Sequence, residues 1–230
     1  MTPARFLTMA GAVVLLAAAA RAQERAAPGP EPMFRHAKEI GRAPHPDAFE
    51  FELGGFKYRI ANNGAGRRVK GEAVRLFNLR LGGFDSIQRV QYAGYQGNVL
   101  LICELSDGEL GWGLVVRLEQ PSMRARWRAE VPAFNVGPPL RDGGHIYLTG
   151  IGFVAKLELE TGRFVWRREN LYDRAGPGTF NAFALPQLSG DVVLFKEETV
   201  YDPAKALTPL NRPAKTLRVH RKTGKVIGIE

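Results

Sequence analysis

The sequence predicts an all-β protein, and three observations carry that prediction. From Phe49 onward, apolar residues fall in short runs rich in β-branched and aromatic types, bounded by Gly, Pro, Asn and Asp. Lys156-Leu157-Glu158-Leu159-Glu160 alternates as a half-buried strand does. Beyond residue 22, no amphipathic stretch of helical period reaches ten residues.

The elements follow in chain order. Residues 1–22 read as a secretory signal peptide. Arg5 supplies the positive start, Phe6 to Ala20 is uncharged and largely apolar, and Ala20-Arg21-Ala22 offers small residues to a signal peptidase. The apolar run is shorter than the roughly 20 residues a spanning helix needs. No later segment is apolar over such a length, so the mature chain, expected to begin at Gln23, is expected to be exported to the periplasm or beyond the cell, with no transmembrane segment. Residues 23–47, with Pro28, Pro30, Pro32, Pro44 and Pro46 among charges, read as a flexible Pro-rich leader. The folded domain is expected over residues 48–230.

That domain repeats. Arg117 to Arg128 aligns without a gap on Lys156 to Arg167, at an interval of 39. The basic, Leu, Glu, hydroxyl, Arg and Trp positions coincide, which places Trp127 against Trp166. A weaker copy, Arg218 to Gly228, keeps Thr223-Gly224 but has Gly228 where Trp would stand. Phe134-Asn135 and Phe180-Asn181 each precede a strand by the same distance, at an interval of 46. Periods near 40 with several strands each mark β-propeller blades, whereas helical repeats of that length would need amphipathic helices. In one unit, Ile146 to Thr149 and Val154 to Leu159 are strands, Thr161-Gly162 is the turn, and Trp166 packs between adjacent blades.

The stretch from His145-Ile146-Tyr147-Leu148 to Thr161-Gly162-Arg163-Phe164-Val165-Trp166 resembles the pyrroloquinoline-quinone-like (PQQ-like) β-propeller repeat. Thr161, Gly162 and Trp166 match its pattern, while Lys156 and Glu158 replace an Ala and an Asp; the units ending at Trp127 and Gly228 are degenerate. The resemblance implies about four PQQ-like or WD40-like blades, near residues 48–97, 98–132, 133–174 and 175–230. The propeller is then either partial, closing by dimerising, or completed by an N-terminal strand near Phe49 to Leu53. Members of this family include quinoprotein dehydrogenases and outer-membrane assembly scaffolds. The dehydrogenases need more blades and a calcium-and-quinone pocket, so no cofactor is expected here.

Composition narrows the chemistry. The 230 residues carry 32 Lys+Arg against 23 Asp+Glu, a net charge of +9, and one Cys. One Cys excludes an internal disulfide framework and any multi-cysteine metal site. Loss of Arg5 and Arg21 with the signal peptide lowers the charge to +7, and the cations are scattered, with no nucleic-acid module among them. His36, His45, His145 and His220 show no metal-ligand spacing, no Gly-x-Ser-x-Gly is present, and Cys103 lies within an apolar strand. Asn62 to Arg68 reads as a hairpin loop. Asp107 to Gly113 reads as a longer loop that carries Trp112, a contact anchor if exposed.

The sequence therefore supports an exported, non-catalytic propeller that binds a protein or another envelope component. Trp112, Asn135, Asn181 and His145 are its candidate binding residues. Trp127, Thr161, Gly162, Trp166, Thr223 and Gly224 are its repeat landmarks. The rival readings are a small hydrolase or lyase, which would bring His145, His220, Asp142, Glu158 or Asp191 into one pocket, and a basic binder of anionic envelope polymers.

Overall fold

The computed structural model describes residues 33–42, 45–108, 111–171, 182–198 and 214–230. It is all-β. Among the described residues, nineteen strands form four sheets in which every pairing is antiparallel.

Strand β1 (Arg35–His36) pairs with the second sheet, as described next. The first sheet runs in order through β2 (Lys38–Arg42), β3 (His45–Leu53), β4 (Phe56–Ala61), β5 (Ala65–Lys70) and β6 (Ala73–Asn78). The second comprises β1, β7 (Ser86–Tyr95), β8 (Asn98–Ser106), β9 (Gly111–Leu118) and β10 (Ala125–Val131). The third is β11 (Leu140–Asp142), β12 (His145–Gly150), β13 (Phe153–Glu158) and β14 (Phe164–Arg168). In the fourth, β15 (Ala182–Phe183) and β16 (Gln187–Ser189) both pair with β17 (Val192–Glu198), followed by β18 (Thr216–His220) and β19 (Val226–Ile229). Four sequential up-and-down sheets, packed face to face, are the blades of a β-propeller.

Residue pattern decides which blades are sandwiched. Strands β8, β9, β12 and β13 are buried on both faces, and they read as near-continuous apolar runs. Strands β4 and β18 alternate between apolar and polar residues, as strands with one polar face do, while in β17 burial alternates although its first four residues are all apolar. In β8, Val99, Leu101 and Cys103 meet Phe49, Phe51, Tyr58 and Ile60 of the first blade. Leu100 and Ile102 point the other way, to Ile146, Leu148 and Leu157 of the third. Tyr147, Val154 and Trp166 then meet Val193, Phe195 and Val219 of the fourth. Each fully buried Leu, Ile or Phe in these layers contributes about 1.5–3 kcal/mol. Burial also pushes the Cys103 thiol up to about 12, so it stays protonated and serves as a small apolar side chain.

Three expectations need correction. Part of the 23–47 leader is strand: β1, β2 and the start of β3 lie within it. Edge strands are held by backbone hydrogen bonds, so β1 and β2 need no apolar period and left none to read; most of their residues are exposed. The second blade begins at β7, not at Asn98. Phe49 to Leu53 pairs with β2 and β4 in the first blade instead of completing the fourth, and the N-terminal strand β1 is added to the second.

Candidate functional site

The turns before the outer strands of the second, third and fourth blades share one geometry. The N–H of Met123, Gly162 and Gly224 donates to the carbonyl of Glu119, Glu158 and His220 at 2.7, 2.9 and 2.8 Å. The N–H of those last three residues donates to Arg124, Arg163 and Lys225 at 2.9, 2.9 and 2.8 Å. The hydroxyls of Ser122, Thr161 and Thr223 accept from the N–H two residues on, at 3.2, 3.2 and 3.3 Å. Met123, Gly162 and Gly224 all hold positive φ, at 60°, 71° and 68°.

These turns dock the blades. A Cβ on Gly162 would strike the Trp127 ring, and one on Gly224 would stand 2.6 Å from Trp166. Each indole also donates to the turn beneath it, Trp127 to Leu159 O and Trp166 to Arg221 O, both at 3.1 Å. Met123 occupies the matching position in the second blade, where the preceding blade sends no Trp, and its buried side chain joins the first core layer.

Charged side chains gather beside the turns. Arg117, buried in β9, donates to Leu159 O at 3.1 Å, Glu160 Oε2 at 2.8 Å and Gln96 Oε1 at 3.1 Å. Its hydrogen bond holds the Glu160 carboxyl below its ordinary range. Farther on, Arg221 grips Asp142 with two bonds, at 2.9 and 2.5 Å, and the Tyr147 hydroxyl donates to the same carboxylate at 3.2 Å. Burial alone would raise Asp142, but the bonds and charge of Arg221, the Tyr147 hydroxyl and the charge of Lys156 together lower it. Burial and the Asp142 charge push Tyr147 up to about 12. Lys156, its Nζ 5.5 Å from the Tyr147 ring centre, is lowered by burial and by Arg221, against the pull of Asp142.

The Asp142 shift has a consequence for acid stability. A depressed carboxyl stabilises the fold above its unfolded pKa, and that contribution is lost as pH falls through the folded value. Asp142→Asn is therefore expected to lower the melting midpoint by a constant amount above about pH 5, with the gap closing as pH falls below the ordinary carboxylate range. Thermal melts across that range check this. A gap of equal size at every pH would show that Asp142 is not held down.

A second cluster lies at the other end of the blades. Glu104 of β8, with a side chain only 6% exposed, accepts from Arg89 Nε at 2.8 Å and Nη2 at 2.5 Å. It also accepts the N–H of Asn135 at 2.6 Å. Asn135 holds a φ of 55° and takes a bond from Arg89 at 3.0 Å, while Gln91 donates to Val136 O at 3.1 Å. His36 of β1 stands opposite Gln91, its pKa lowered by burial and then by Arg89.

The sequence candidates are thus separated. Asn135 belongs to the Glu104 cluster, where both its amide group and its backbone are engaged. Trp112 lies in strand β9, not at a loop tip, half-buried with its ring 6.1 Å from Phe84. His145 stands half-buried on β12, across from Glu158. Asn181 lies outside the described residues. Of the groups a hydrolase would use, Glu158 accepts from the Thr161 hydroxyl at 2.6 Å and His220 Nδ1 caps its own turn. Among the described residues no three His, Cys, Asp or Glu side chains form a metal-binding group. Sequence reasoning overlooked Glu104 and Arg117 as functional or structural centres. The signal was there: each is a lone charge within an apolar run, and a charge so placed must be paired.

No protein-family profile and no curated protein matches the chain. Solved structures do. BamB from Moraxella catarrhalis aligns at 17% identity and a TM-score of 0.46, over 86% of this chain and 52% of that one. A quinohemoprotein alcohol dehydrogenase from Pseudomonas putida HK5 aligns at 14% and 0.48, over 86% and 36%. The enzyme of the same kind from Comamonas testosteroni gives 13% and 0.48, over 86% and 37%. The chain spans about half or less of the length of these structures. The likeness is one of fold, and the propeller assignment rests on the sheets and turns themselves.

Proposed function

We propose that the protein is an exported, non-catalytic propeller that serves as a binding or interaction module for a protein or another envelope component. One observation carries this reading. The conspicuous charges are engaged in holding the fold together: Arg117 to the next blade's turn, Arg221 to Asp142 across a junction, Arg89 to Glu104. The scaffold they fix presents apolar side chains on its outer strands, with Leu76 of β6 75% exposed and Ile229 of β19 62% exposed. Rigid elements that display apolar groups outward suit partner contact. Among the described residues no helix is long and apolar enough to cross a membrane.

Photo-crosslinking in the producing cell tests this reading. A crosslinking amino acid at Leu76 or Ile229 is expected to give a discrete adduct that the same group at Thr161, within a turn, does not. The exported form is expected to begin at Gln23 by mass spectrometry. Turnover of chromogenic ester, phosphate or glycoside substrates, abolished by Asp142→Asn, would favour the hydrolase reading instead.

A further inference from the structure

The junctions between blades share one strand pattern but differ in the turn that answers it, with Glu160 at the second and Lys222 at the third. In the first three blades a cation on the strand next to the outer one stands opposite an outer-strand residue: Arg117 opposite Trp127, Lys156 opposite Trp166, and Arg68 opposite Arg75. At the second junction the next blade's turn answers Arg117 with the Glu160 carboxylate. The position 39 residues earlier, in the turn that faces Arg68, is Pro121. Relative to the second junction, the first thus has a second Arg in place of the Trp and a proline in place of the acid.

The resulting cluster is basic throughout. The Arg68 guanidinium lies 4.5 Å from the Phe56 ring centre, and Lys70 Nζ lies 5.0 Å from the same ring. Arg68 Nη1 is buried without a hydrogen-bond partner. No ion pair joins Arg68, Lys70 or Arg75 to an acid among the described residues. Beside them Gln120 Nε2 donates to the Tyr58 hydroxyl at 2.6 Å, which ties the second blade's turn to the wall of the cluster. Like charges opposite one another on paired strands repel, and a buried guanidinium nitrogen left unbonded is costly. An oxyanion seated among the three cations relieves the repulsion between them.

We propose that Arg68, Lys70 and Arg75 form a binding site for an oxyanion, with Phe56 as its apolar wall. Guanidinium forks match phosphate and carboxylate oxygens alike. Three positive charges favour phosphate, the more highly charged of the two. The inference rests on the binding-module reading only in holding that the site serves an outside ligand.

Inorganic phosphate and acetate, titrated separately into the full chain in dilute chloride buffer, test the site. Arginine Nε–H resonances report position and calorimetry reports affinity. Saturable phosphate shifts are expected at Arg68 and Arg75, with weaker acetate binding. Arg75→Gln, on an exposed strand, is expected to weaken phosphate at least about tenfold, with an unchanged melting midpoint showing that the variant is folded. Lys222→Gln, in the fourth blade's turn, is expected to leave the affinity unaltered. Shifts that never saturate, or equal affinity in Arg75→Gln and the parent, would overturn the site. Tighter binding of acetate would overturn the choice of phosphate. Neither failure touches crosslinking at Leu76 or Ile229, so the two readings fail separately.

Discussion

Replacing Trp166 with alanine is expected to cost about 3–5 kcal/mol, the range for deleting a large buried aromatic. The ring is 6% exposed and lies 6.0 Å from that of Tyr147. Its far face rests on Gly224 of the next blade, and its N–H donates to Arg221 O. Alanine removes the packing, opens a cavity at the third junction and leaves the Arg221 carbonyl without that donor. For a chain of this size each kcal/mol moves the melting midpoint by about 2–4 °C, so a fall of roughly 6–20 °C is expected. Trp166→Phe keeps most of the ring and loses the hydrogen bond, and should cost less. Calorimetric or circular-dichroism melts of both variants decide the matter. An alanine variant that melts within a degree or two of the parent would mean that Trp166 does not dock the fourth blade.

The second large effect is expected at Glu104. Its carboxylate, itself nearly out of water, accepts two bonds from Arg89 and one from the Asn135 backbone. Glu104→Ala leaves that arginine and that N–H without their acceptor. Breaking a buried pair from one side typically costs about 3–5 kcal/mol. Arg89, whose side chain is 33% exposed, recovers some hydration, so about 2–4 kcal/mol is expected here. Since Asn135 lies between β10 and β11, the same change should loosen the passage from the second blade to the third. Denaturant unfolding of Glu104→Ala, Arg89→Ala and the double variant measures the coupling. Losses that simply add would mean that the pair contributes no interaction energy.

Much of the fold was legible because its cause is local. Apolar runs in β8 and β12 signal burial on both faces, and the alternation in β4 and β18 signals one polar face. The 39-residue repeat placed Trp127 and Trp166 at equivalent positions of successive blades, and the Thr-Gly pairs mark turns that need positive φ. Boundaries were harder. Strands β1 and β2 carry no period because pairing at a sheet edge asks nothing of their side chains.

The candidate site was less legible. Asn135 was singled out on its repeat position, yet its partners Glu104 and Arg89 are 31 and 46 residues away. Arg221 and Asp142 are 79 apart. Such pairings depend on which blade faces which, and no local pattern encodes that.

By itself the sequence determined the all-β class, the repeat and the turn chemistry, since periodicity, glycine conformation and apolar content act over a few residues. Only the tertiary structure decided that Met123 fills the space a Trp takes elsewhere, that Phe49 to Leu53 belongs to the first blade, and that Arg68 faces Arg75. Those outcomes come from the contact of two blades, where the shape and charge of one surface are met by residues far away in the chain.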